Sequence, residues 1–298
     1  MKDIIENLEL NRFSYNDIRK NSIVSLINKN EEYDVNVIIG FRGRPEFIKP
    51  VADSFNKAID YYKNVRPEIK ICLTFVEHDI ESKNQDKIDC NYIWTPGNVS
   101  DQYSRSFAYN FGVKYSNKSK YYLLHDLDIL VKENFFEEVF ENLGESKCMQ
   151  TYGGRRVLYM SDNLTKKVIN KEVSIDSFSE KTEEVSLPMY NGVPALGSKG
   201  GSIFVEREFY YSIGGFDPEL FWGYAAEDQI FWDKCLTKLG EVTYADSPLI
   251  DMFHMWHPPS VGTNPLLMEM ESYMLQFRNF GKKGRKQYIE IQKQGINE

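Results

Sequence analysis

No apolar stretch in the chain approaches the ~20 residues that a membrane-crossing helix needs. The opening residues Met1-Lys2-Asp3-Ile4-Ile5-Glu6-Asn7 also lack the apolar core of a secretion signal, so a cytoplasmic location is expected. Basic charge is short too. The 36 Lys and Arg residues face 44 Asp and Glu, a formal net charge of −8, whereas a phosphate-binding surface wants the opposite excess. Nucleic acid is therefore not an expected partner. Cysteine is scarce and scattered: Cys72, Cys90, Cys148 and Cys235 form no C-x-x-C pair, which predicts buried free thiols rather than disulfides or structural zinc. Three N-x-S/T sequons, at Asn98, Asn117 and Asn163, carry no weight in a chain this rich in Asn and Ser. What is present is enough for a core. With 42% hydrophobic residues in 298, the chain suits one large α/β domain or two small ones.

Along the chain, Ile23, Val24, Leu26 and Ile27 suggest a short amphipathic helix in a polar leader over 1–33. Asp34 to Phe41 is a strand, Arg42-Gly43-Arg44-Pro45 a turn, and Pro50 to Tyr62 a helix. Strands over Ile69–Val76, Tyr92–Trp94 and Tyr121–Val131 follow, with a helix over Asp101–Tyr115 that carries Phe107, Phe111 and Tyr115 at helical spacing. Alternating strands and helices imply a mostly parallel sheet, whose ligands bind at the carboxyl ends of the strands. The segment Asp162–Ser186 is polar and aperiodic and reads as a surface excursion. Gly200-Gly201 opens a strand through Val205, and Glu227–Leu239 is a helix stopped by Gly240. Asn264-Pro265 caps a last helix with an apolar stripe, and Lys282-Lys283-Gly284-Arg285-Lys286 forms a basic tail.

One run interrupts this pattern with chemistry. In Tyr121-Tyr122-Leu123-Leu124-His125-Asp126-Leu127-Asp128-Ile129-Leu130-Val131, two carboxylates stand one residue apart inside an apolar strand. In an extended chain, residues i and i+2 share a face, so Asp126 and Asp128 would converge while Leu127 turns into the core. Desolvated carboxylates repel unless a divalent cation joins them. A bare D-x-D also fits a strand that ends at a solvated turn. Two further clusters, Glu227-Asp228 and Asp251-Met252-Phe253-His254-Met255-Trp256-His257, shift the reading towards a metal-assisted site.

In order and type, these pieces resemble the GT-A glycosyltransferases, within them the inverting β-1,4-galactosyltransferase-like group and related bacterial polysaccharide enzymes. Phe41-Arg42-Gly43-Arg44 is similar to the family's Phe-Arg-Asn-Arg, which closes over the nucleotide. Tyr103-Ser104-Arg105 with Asn110-Phe111-Gly112 resembles its Phe-Asn-Arg and Asn-Val-Gly helix, and Asp126-Leu127-Asp128 its Asp-Val-Asp. Gly214-Gly215-Phe216-Asp217 followed by Phe221-Trp222-Gly223-Tyr224-Ala225-Ala226-Glu227-Asp228 resembles its Gly-Phe and Tyr-Trp-Gly-Trp-Gly-Gly-Glu-Asp run. Tyr224 replaces a Trp, Ala225 and Ala226 replace glycines, and Gln229 replaces a third acid. The loop before Glu227 is accordingly expected to be stiffer.

The resemblance implies an α/β GT-A fold with a Rossmann-like, mostly parallel central sheet and helices on both faces. It also implies a domain over 34–263, with a nucleotide half over 34–131 and an acceptor half over 132–263, followed by a C-terminal helix and tail over 264–298. Donor contacts would come from Phe41, Arg42, Arg44, Tyr103 (uracil), Arg105 (diphosphate), Asp126, Leu127, Gly201 and Tyr224. Trp222, Tyr224 and Glu227 would meet the acceptor. Asp128, His254 and His257 would hold Mn2+ or Mg2+, with His254 where the family has Met, and Asp228 would be the base. The expected partners are a UDP-sugar carrying galactose or N-acetylgalactosamine, a glycan acceptor and, through the basic tail, a peripheral anionic membrane. Ala195-Leu196-Gly197-Ser198-Lys199 stands where related galactosyltransferases carry a bulky aromatic, which leaves room for an N-acetyl group. Three alternatives stay open: a retaining GT-A N-acetylgalactosaminyltransferase, a non-catalytic sugar-binding module and a metal-dependent hydrolase.

Overall fold

The computed structural model describes residues 14–97, 103–151, 157–187, 189–190, 193–194, 200–220, 226–240, 243–244, 251–258 and 267–297. Helix α1 (Tyr15–Lys20) leads into strands β1 (Ile23–Ser25) and β2 (Tyr33–Phe41), then helix α2 (Pro45–Val65). Strands β3 (Ile71–Asp79) and β4 (Asn91–Pro96) precede α3 (Arg105–Tyr115), β5 (Ser119–Asp126), β6 (Ile129–Val131) and α4 (Phe135–Leu143). Next come β7 (Cys148–Gln150), β8 (Val157–Met160), α5 (Asp162–Ile169), β9 (Val185–Ser186) and the two-residue strands β10 (Met189–Tyr190) and β11 (Val193–Pro194). The chain continues through β12 (Ser202–Glu206), α6 (Arg207–Ser212), α7 (Glu227–Leu239), β13 (Thr243–Tyr244) and β14 (Met252–His254). Helices α8 (Leu267–Asn279) and α9 (Lys282–Asn297) close it.

The large sheet has the order β1-β4-β3-β2-β5-β12-β7-β13. Its centre, β4-β3-β2-β5, is parallel, while β1 and β12 run antiparallel to their neighbours. Helices cover both faces. Along β2, Val35, Val37 and Ile39 pack with Phe47, Val51 and Phe55 of α2, whereas Ile38 packs with Phe107 and Phe111 of α3. Burial on both sides explains why the central strands read as unbroken apolar runs. Gly112 sets how close α3 lies, since a methyl group there would fall 2.7 Å from Ile38 Cγ2 and 2.9 Å from Val76 Cγ2.

Several elements differ from the sequence expectation. Ile23–Ser25 is an edge strand paired with Tyr92–Trp94, not part of a helix; the β-branched pair favours an extended chain once a partner edge exists. Helix α2 begins five residues before Pro50, because burying Phe47 and Ile48 outweighs the interior proline. The expected strand over Tyr121–Val131 breaks after Asp126. Its second part joins another sheet, of order β6-β14-β8-β9. The polar excursion over Asp162–Ser186 contains α5 and β9 and buries Leu164, Ile175 and Phe178. The basic stretch expected as a tail opens α9, and Met270, Met274 and Phe277 of α8 pack with Tyr288 of α9 and Ile230 of α7. Asn264 and Pro265 lie outside the described residues. All four cysteines are free, and Cys72, Cys148 and Cys235 are buried.

Candidate active site

The break after Asp126 builds the site. Because residues 127–128 form a turn and not a strand, Asp126 and Asp128 are not successive residues on one strand face, and they meet different partners: Arg105 and Tyr109 for Asp126, Arg44 and the two histidines for Asp128. Leu127 is buried between them, as expected. His125 braces the turn from below: its Nε2–H donates to the Ile129 carbonyl at 3.0 Å and its Nδ1 accepts from the Ser202 hydroxyl at 2.9 Å. Nε2 carries the proton because a carbonyl can only accept. Burial lowers the pKa of His125, which keeps it neutral.

Asp128 meets the histidines through backbone pairing. His254 lies opposite Ile129 in the β14–β6 ladder, and the Met255 amide donates to the Asp128 carbonyl at 2.8 Å. The Trp256 amide is fixed by the Thr165 hydroxyl of α5 at 2.8 Å. One ligand atom each from Asp128, His254 and His257 therefore lies within 4.8 Å of the others. His257 Nε2 is 3.2 Å from Asp128 Oδ2, and His254 Nε2 is 3.7 Å from Oδ1. Burial alone would raise the Asp128 pKa, but the hydrogen bond from His257 and the charges of His254 and Arg44 hold it well below the usual carboxylate range. His257 is pushed up by the same hydrogen bond, while burial pushes His254 down.

The donor set fits a divalent cation. One carboxylate and two imidazoles suit Mn2+ or a similar first-row ion. The His257 Nδ1–H donates to the Pro258 carbonyl at 2.8 Å, leaving Nε2 to face Asp128. His254 Nδ1 is buried with no hydrogen-bond partner among the described residues.

A second cluster forms around Arg105. Its Nη1 donates to Asp126 Oδ2 at 2.9 Å, and its Nη2 donates to Glu227 Oε1 at 2.7 Å and to Asp228 Oδ2 at 2.5 Å. Tyr109, one turn along α3, donates its hydroxyl to Asp126 at 2.8 Å. Burial is the largest influence on both acids of α7, and it outweighs Arg105: Glu227 is pushed up to about 7 and Asp228 is also raised. Asp228 Oδ1 and Glu227 Oε2 are buried with no hydrogen-bond partner among the described residues. Gly200 supports this cluster by lacking a side chain, since a methyl group there would sit 1.9 Å from Asp228 Oδ2.

No protein-family model and no curated protein matches the chain. Solved structures do match. The chain is similar to GalNAc-T7 with UDP, GalNAc and Mn2+ at 15% identity, over 87% of this chain and 55% of that one, with a TM-score of 0.51. It is also similar to the catalytic domain of Drosophila β1,4-galactosyltransferase 7 in complex with xylobiose, at 14% identity over 72% and 66% of the two chains (TM-score 0.45). A third similarity is to S. aureus TarS 1–349, at 14% identity over 86% and 69% (TM-score 0.49). The chain thus spans about half the length of GalNAc-T7 and just under two thirds of the galactosyltransferase chain. The fold is GT-A.

In this GT-A frame, the described members of the expected donor set gather at the carboxyl ends of β2 and β5. Arg42 pairs with Asp79 at 3.2 Å, and Arg44 with Asp128 at 2.7 Å. Phe41 is buried edge-on to Phe75, so only its backbone borders this region. Tyr103 lies across Gly40, and its buried hydroxyl has no hydrogen-bond partner among the described residues. Gly201, in the left-handed region at φ 88°, accepts the Asp126 amide through its carbonyl at 2.8 Å. Trp222 and Tyr224 lie outside the described residues. Sequence reasoning missed Tyr109, Asp79, Gly200 and Thr165. Tyr109 had a usable signal, being four residues after Arg105 on one helix. The others depend on contacts far apart in sequence.

Proposed function

We propose that the chain is a metal-dependent inverting glycosyltransferase that moves a hexose from a UDP-sugar to a glycan hydroxyl. The observation that carries this reading is the separation of two clusters beside one turn. Asp128, His254 and His257 suit a cation, while Glu227 (buried) and Asp228 (part-buried) are carboxylates of raised proton affinity. When bound, the cation supplies charge neutralisation for a departing diphosphate. Asp228 takes the acceptor proton as that oxygen attacks the anomeric carbon from the face opposite the leaving group. Glu227 orients the acceptor, and Trp222 and Tyr224 border it. Tyr103 stacks on the uracil, Arg42, Arg44 and Arg105 serve the donor's charge, and Asp126 meets the ribose or a metal-bound water.

GalNAc-T7 with UDP, GalNAc and Mn2+ supports the choice of uridine, manganese and an N-acetylhexosamine donor. It equally favours a second reading, a retaining N-acetylgalactosaminyltransferase. The Asp126-x-Asp128 and Glu227-Asp228 pairs favour inversion, because that group carries Asp-x-His and Glu-Asn by resemblance. The reading places the catalytic unit over about 34–263 and the protein in the cytoplasm. No helix among the described residues is long and apolar enough to cross a membrane. Lys282, Lys283, Arg285 and Lys286, at the start of α9, would make the contact with an anionic membrane.

Incubation with Mn2+ and a panel of nucleotide sugars, with and without mixed glycan acceptors, tests the reading. Release of UDP that rises with acceptor and stops in chelator is expected. Acceptor-independent release of free sugar would indicate a hydrolase, and nucleotide binding without turnover a non-catalytic module.

A further inference from the structure

The turn between β2 and α2 holds an arginine in an unfavourable backbone shape. Gly43 (φ 69°) and Arg44 (φ 51°, ψ 50°) are both left-handed. Glycine adopts this freely, whereas a residue with a side chain gives up about 1 kcal/mol. The strain is offset where the side chain ends. Arg44 Nη1 donates to Asp128 Oδ2 at 2.7 Å, the same oxygen that lies 3.2 Å from His257 Nε2. A cation seated between Asp128 and His257 would take that oxygen, since it is the one 3.2 Å from His257 Nε2. A guanidinium and a divalent ion cannot both hold it closely, because in a partly buried site their repulsion is weakly screened.

Releasing Arg44 also has a cost. Asp128 is the acid with which Arg44 pairs among the described residues, and a half-buried guanidinium stripped of its partner is disfavoured. A diphosphate resolves both problems. Its oxygens would bind the cation at Asp128 and so come within reach of the group just displaced from that carboxylate, and the guanidinium fork suits phosphate as well as carboxylate.

We infer that Arg44 competes with the cation for Asp128 and gives up the carboxylate when a nucleoside diphosphate takes the guanidinium, so that metal and nucleotide bind as one coupled event. This rests on the proposed cation site. Free Mn2+ then binds weakly, and UDP raises its affinity; by linkage Mn2+ raises the affinity for UDP by the same factor.

Calorimetric titration of Mn2+ into the wild type and Arg44→Gln, with and without UDP, tests this. Arg44→Gln should bind Mn2+ alone roughly tenfold more tightly, about 1.4 kcal/mol, and the enhancement by UDP should shrink. Arg44→Gly, which suits the left-handed backbone, should behave alike and guards against misfolding of the first variant. Equal or weaker Mn2+ binding by both variants would overturn the inference, since Arg44 would then orient Asp128 for the ion. Absence of Mn2+ binding by wild type and variants alike, even with UDP, would instead refute the cation site and the functional reading with it.

Discussion

Asp128 and Asp228 are both part-buried acids beside an arginine, yet their surroundings drive them in opposite directions. Asp128 faces two imidazoles and Arg44, and its pKa is held far down. Asp228 also faces an arginine, Arg105, but it shares that guanidinium with Asp126 and Glu227, and burial wins. One guanidinium cannot neutralise three carboxylates, so the second cluster retains an affinity for protons that the first has lost. A carboxylate that stays ionised suits a cation. One of raised pKa suits proton transfer near neutral pH.

The largest break in this contrast should come from the metal cluster. Asp128→Asn or His257→Ala should lower Mn2+ affinity by at least ~100-fold in calorimetry, since each removes one of the three proposed ligands, while circular dichroism stays unchanged. Affinity in the wild type should also rise with pH. His257 has a raised pKa because of its hydrogen bond to Asp128, and the ion must displace that proton, so binding strengthens as pH climbs through the raised value. Next in size is Asp228→Asn, which keeps shape and removes basicity. Transfer rate should fall by roughly 10²–10⁴-fold with Mn2+ and UDP binding little changed. A matching loss of UDP binding would assign Asp228 to the donor instead.

A smaller effect sharpens the contrast from the other side. Glu227 is pushed up to about 7, above the ordinary glutamate range. Between those values the native state binds more protons than the unfolded chain, so stability contributed by the protonated form falls away as pH rises towards 7. Glu227→Gln should therefore raise stability at pH 8 by on the order of 2 kcal/mol and leave it unchanged near pH 4. Chemical denaturation at the two pH values measures this. Tyr103→Ala should give the mildest change, a loss of about 1 kcal/mol in UDP affinity, the low end for a base stacked on an aromatic ring. Equal binding of UDP and GDP by the wild type would remove uridine selectivity.

Much of this was legible in the chain. The apolar runs of β2, β3 and β5, the helix beginning at Glu227 and the late His-x-x-His pair all stood out by local pattern, and the structure brings Asp128, His254 and His257 together. The break in the strand between Asp126 and Asp128 was not legible. It depends on Ile129–Val131 leaving the large sheet to pair with Met252–His254, more than a hundred residues later. Helix α5 was hidden for another reason. Its lysines mask the few apolar residues, Leu164 among them, that seat it, so a segment read as a surface excursion turns out to position the Trp256 backbone. Arg105 was expected near phosphate, and its contacts with Glu227 and Asp228 could not be seen from a helix more than a hundred residues earlier.

The division between a cation cluster and a base cluster is tested most directly by the stereochemistry of the product. With an α-linked UDP-sugar and a competent acceptor, NMR of the new glycosidic bond should show a β linkage, as single displacement with Asp228 as base requires. An α linkage would mean that Asp228 does not act as that base and that the retaining reading is correct.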